Sequence, residues 1–216
     1  MPIDRDDHAS LASPPQHATD ELGAEAVEAN ARITGSMGAL LFVVFAVEGL
    51  TILFGVRAHL SLHVFIGLLA VPPIAVKLAS TGHRIVRYYV GDARYVRKGP
   101  PPLVLRLVGP LVALTSVAVI ATGIADLLLG PSQNLTRLHK LSFIAWFGVM
   151  AIHVLGHLLE TPALAAADWS TRSARLRGTA TRRSLVVATL ALGIVLGWWS
   201  LSWIPSAFGA FEQARP

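Results

Sequence analysis

Cysteine is absent from the 216 residues. That excludes disulfides, thiolate metal sites, cysteine-bound iron–sulfur clusters and covalently attached c-type haem. Charge is scarce too. Only 14% of residues are Asp, Glu, Lys or Arg, against about 25% in an ordinary soluble domain. No nucleotide-binding fingerprint or flavin domain can be read. Basic and aromatic residues do not interleave as they do on nucleic-acid surfaces, so no nucleic-acid partner is expected. The first residues lack the basic start and following apolar run of a secretory signal peptide.

What is abundant is apolar: 53% of residues are hydrophobic, gathered in blocks of the length a bilayer demands. Five blocks predict transmembrane helices over 36–56, 60–79, 103–129, 138–159 and 185–205. Backbone in lipid must satisfy its own hydrogen bonds, which favours helices, and no short alternating segments suggest a barrel. The expected fold is therefore all-α, an integral membrane bundle of five helices with a four-helix core. Residues 1–33 carry seven acids against Arg5 and Arg32. They read as a disordered acidic tail with a short helix around Glu21–Asn30. Residues 206–216 read as a short external tail.

Lys and Arg set the expected orientation. Arg84, Arg87, Arg94, Arg97 and Lys98 join spans two and three, and Arg172, Arg175, Arg177, Arg182 and Arg183 join spans four and five. The other side holds only Arg57, Arg137, Lys140 and Arg215. By the positive-inside rule the N-terminus is cytoplasmic and the C-terminus external, in a bacterial-type plasma membrane. Trp198, Trp199 and Trp203 then fall at the outer interface. The net charge of +5 points to anionic membrane lipid as a partner.

Histidines in spans are costly without a partner or ligand. His63 lies about a turn into span two and His139 opens span four, so both are expected near the outer face at similar depth. Two imidazoles at one level can hold a haem iron from both sides. His153 follows His139 by fourteen residues, nearly four turns and about 21 Å of rise, on the same side of the helix. His157 follows one turn later.

His63 with its following Gly67, and His139 with His153, resemble the membrane-embedded b-type cytochromes over about residues 36–160. That group includes cytochrome b subunits and ferric-reductase-like membrane domains. The resemblance implies a four-helix bundle with one or two haems b, moving electrons between a quinone or cytoplasmic donor and a separate redox partner protein. Gly35 with Gly49 and Gly109 with Gly123, each fourteen apart, could let a flat macrocycle approach, or could simply serve close helix packing.

The pattern departs from that family at the inner site, where the residue fourteen after His63 is Lys77. Three arrangements stay open: a haem on His83 and His157, a haem using His153 with an irregular partner, or one haem only. Pro72 and Pro73 are expected to kink or unwind span two. Arg137 and Lys140 are candidate propionate partners or plain interface anchors. Glu48 is a candidate proton or quinone site, or a hydrogen-bonded acid within the bundle. Asp126 reads as a solvated carboxylate, and Tyr88, Tyr89 and Tyr95 as interface anchors. No nucleophile–base constellation stands out, so an electron-transfer subunit is favoured over a stand-alone enzyme. The alternative is a non-haem transporter component or membrane scaffold.

Overall fold

The computed structural model describes residues 16–100, 102–170 and 177–204, and no strand occurs among the described residues. Seven helices follow in order: α1 (Gln16–Leu53), α2 (Leu60–Tyr89), α3 (Ala93–Lys98), α4 (Leu103–Leu129), α5 (Gln133–His157), α6 (Glu160–Ala167) and α7 (Thr179–Ser200). A 3-10 turn, Leu201–Trp203, closes the described chain. Helices α1, α2, α4, α5 and α7 are long and apolar enough to cross a bilayer, which makes this a multi-pass membrane bundle. Its outside is covered by side chains such as Phe147, Leu155 and Val195 that a soluble protein would bury.

Two helices run past their expected ends. Helix α1 begins at Gln16, so residues 16–33 are helix rather than tail. Alanine and glutamate favour helix there and no proline interrupts it. An Arg32–Glu28 pair one turn apart, at 3.0 Å, adds support. Residues 1–15 and 205–216 lie outside the described residues, and with them the remainder of both expected tails. Helix α2 continues to Tyr89, and His83, Arg84 and Arg87 form its last turns.

Pro72 and Pro73 sit inside α2 without interrupting it. Pro73 has no N–H to give the Leu69 carbonyl one turn back. That same carbonyl is where α7 comes closest: a methyl added to Gly193 would overlap it, and one on Gly197 would overlap the Phe65 carbonyl. The two glycines, four apart, form the small-residue face that lets membrane helices meet backbone to backbone. Gly193 packs over the carbonyl that proline left without its donor, where a Cα–H contact suits it.

Helices α4 and α5 pair along their length. Trp146 Nε1 donates to Ser116 Oγ at 2.9 Å, and Leu105 fills the space beside Gly156. Backbone contact of this hairpin with α1 and α2 is sparse. Side chains bridge the gap instead, with Phe45 edge-on to Trp146 at 4.8 Å between ring centres. Helix α6 lies on α1, where Leu164 occupies the space left by Gly35. That glycine therefore serves packing and does not face a macrocycle.

Polar and apolar levels alternate along the bundle. One end holds Glu48, Thr51, His63, Thr122 and His139. An apolar middle follows, built on Leu41, Val44, Ile66, Ala70 and Ile74 with Phe45 and Ile120 against them. Beyond it lie Asn30, Thr34, Lys77 and Ser80, joined by hydrogen bonds. The arginine-rich end comes last.

Candidate haem-ligand site

His63 on α2 and His139 on α5 meet with ring centres 6.4 Å apart and planes crossed at 76°. Both rings are partly buried. Two metal–nitrogen bonds of about 2.0 Å, plus about 1 Å from each nitrogen to its ring centre, separate the centres of two axial imidazoles by about 6 Å. The observed spacing fits that geometry.

A threonine engages one nitrogen of each ring. Thr51 Oγ1 donates its one proton to the Glu48 carbonyl at 2.7 Å. It can therefore only accept from His63 Nδ1, 3.1 Å away. Glu48 Oε1 stands 2.7 Å from the same nitrogen, and its Oε2 is buried with no hydrogen-bond partner. Across the gap, Thr122 Oγ1 donates to the Ala118 carbonyl at 2.8 Å. The threonine oxygen also lies 3.1 Å from His139 Nδ1. Ser142 completes this corner, 3.0 Å from Thr122 Oγ1 and donating to the His139 carbonyl at 2.8 Å. With the threonine protons on these carbonyls, Nδ1 is the donor of each ring and Nε2 keeps its lone pair. Ligating histidines are prepared in this way, one nitrogen tied by a neighbour and the other given to the metal.

Gly123 makes the fit of His139 possible. A methyl there would lie 3.0 Å from His139 Cε1, so the glycine makes room for the imidazole itself. Gly49 and Gly109 face open space. Arg137 and Lys140 flank His139 and are exposed. Asp126 departs from expectation: it is buried and accepts from Thr136 Oγ1 at 3.3 Å. Thr136 belongs to the turn of α5 that lies across from the end of α4.

The other candidates gather toward the arginine-rich end but in separate contacts. His83 packs edge-on to Tyr95 of α3, ring centres 5.8 Å apart, and Tyr95 is buried rather than anchored in the interface. His157 lies 3.5 Å from Glu160 and its ring centre is 4.8 Å from that of His153. The contacts of His83 and His157 are thus with different neighbours, which does not favour a haem shared by those two. His153 Nδ1 is buried without a hydrogen-bond partner. Among the described residues, no three His, Cys, Asp or Glu side chains converge as a bare metal ion would require. A haem iron asks only two axial ligands of the chain.

The sequence reading missed the charged knot at the arginine-rich end. Asp168, at the end of α6, is buried and receives both Arg182 and Arg32. Arg182 Nη2 donates to its Oδ1 at 2.7 Å and Arg32 Nη1 to the same oxygen at 3.1 Å. Burial alone raises the Asp168 carboxyl, but the hydrogen bonds from Arg182 and Arg32 outweigh it and hold it below the ordinary carboxylate range. Asp92, which caps α3 by accepting from Arg94 N, is held down to about 2, chiefly by the Arg94 side-chain hydrogen bond.

No family model matches the chain, and no curated protein or solved structure matches it.

Proposed function

We propose that this chain is a membrane electron-transfer subunit that binds haem b between His63 and His139. The observation carrying this reading is that two imidazoles 6.4 Å apart each have Nδ1 engaged by a threonine of an adjacent helix, with Nε2 left for a metal. Bound there, haem supplies reversible one-electron chemistry. The chain's own contribution is to hold and orient. Thr51 and Glu48 fix the His63 ring, Thr122 and Gly123 fix the His139 ring, and the apolar middle of the bundle keeps water out. Arg137 and Lys140, exposed beside His139, suit the carboxylates of a porphyrin edge. Electrons would pass between a quinone or a cytoplasmic donor and a separate partner protein, since no nucleotide or flavin motif is present in the chain.

The test is spectroscopic. Protein produced with haem supply and purified in detergent should show reduced b-type bands after dithionite. His63→Ala and His139→Ala should each remove the haem they share. Well-folded, colourless wild-type protein would end the proposal, and full haem content in both variants would end the ligand assignment.

A further inference from the structure

The device at the His63 end is repeated one level down, on three helices at once. Fourteen residues separate His63 from Lys77 on α2, His139 from His153 on α5, and Glu48 from Thr34 on α1. In a continuous helix this interval returns a side chain to nearly the same face, about 21 Å along. All three helices are continuous across it, α2 included despite its prolines. Glu48, His63 and His139 of the first level therefore each have a counterpart at the second. His63 is supported from α1 by Glu48 and Thr51, and Lys77 is supported from α1 by the Thr34 carbonyl, to which its Nζ donates at 3.1 Å. Opposite them stand His139 and His153.

Two features mark this second level as built for a ligand. Lys77 is deep in a bilayer-spanning helix, and among the described residues no carboxylate pairs with it. Its polar neighbours are the Thr34 carbonyl, and Ser80 one turn on, whose hydroxyl donates to the Lys77 carbonyl at 3.0 Å. His153 is placed at the same level by the fourteen-residue step from His139. The ring of His153 is partly buried and its Nδ1 is buried without a hydrogen-bond partner. An amine and an imidazole, both nitrogen donors, thus share one level. Gly38 keeps the space open at the amine, since a methyl there would come 3.0 Å from Nζ.

We propose that Lys77 and His153 are the axial ligands of a second haem, held by amine and imidazole rather than by two imidazoles. This rests on the haem reading of the first site. Coordination uses the lone pair of the deprotonated amine. The proton lost from the ammonium passes to solvent when the iron binds, and no electron moves. A coordinated primary amine keeps two N–H bonds, so one can stay on the Thr34 carbonyl while the nitrogen binds iron.

Haem per chain, measured as the pyridine haemochrome against protein mass, tests this in the full-length protein. Wild type should carry two haems. Lys77→Ala and His153→Ala should each carry one, with the spectrum of the His63–His139 haem intact. Lys77→His should regain two, with a shifted near-infrared charge-transfer band because its ligand pair has changed. Two haems in Lys77→Ala, or a wild type with a single haem that His63→Ala removes, would overturn the second site while sparing the first. Loss of all haem from both Lys77→Ala and Lys77→His would count against it as well. A wild type without haem defeats both sites together.

Discussion

Asp168 shows how much a single side chain can tie together here. Its carboxylate joins α1 through Arg32 and α7 through Arg182 from the end of α6. Removing one partner of such a buried group leaves the others uncompensated and typically costs about 3–5 kcal/mol. Asp168→Ala should lower the free energy of unfolding in detergent by that order. Because the folded carboxyl titrates below its unfolded value of about 4, its contribution is complete above that value and is lost as pH falls through the folded one. The stability gap between wild type and Asp168→Asn should therefore be flat at neutral pH and close in acid, which thermal melts at stepped pH would show. This knot was illegible in the sequence. Asp168 falls between two apolar blocks, Arg182 was already explained by the positive-inside rule, and Arg32 stood far away among the acids of the N-terminal segment. Asp126 was misjudged for a related reason: position near a helix end suggests solvent, but the neighbouring α5 covers it.

At the scale of helices, the hydrophobic blocks were plain, and the span from Leu103 to Leu129 has the same limits in sequence and structure. The ends of α1 and α2 were harder. Past the apolar block, helix is maintained by polar contacts such as Asn30 Nδ2 to the Ser80 carbonyl at 3.1 Å, and hydropathy does not register these. The matched depth of His63 and His139 could be counted along the chain. The engagement of Glu48, Thr51 and Thr122 could not, because it depends on how each helix is rotated. The Gly193–Gly197 face of α7 was visible as two glycines four apart, yet its partner, a proline-freed carbonyl on α2, required the structure. Branched side chains should be rejected there. Gly193→Val is expected to cost about 1–3 kcal/mol by overpacking, and limited proteolysis should then release α7 while α4 and α5 remain protected.

For the molecule as a whole, the lack of cysteine is an experimental advantage. Single cysteines can be introduced without first removing any. With the arginine-rich end in the cytoplasm, Lys98→Cys should react with an impermeant maleimide only after cells are opened, whereas Gln133→Cys should react in intact cells. The reverse pattern would invert the orientation drawn from the charges. The loose seam between the α4–α5 hairpin and the α1–α2 pair bears on assembly. The hairpin runs directly into α6, which lies on α1, so the seam is where the two halves would have to part to admit the proposed haem. A disc-shaped guest dissolved in the bilayer could slip in edgewise through that doorway after the chain is already inserted, and its own grip on both sides would then latch the two halves shut.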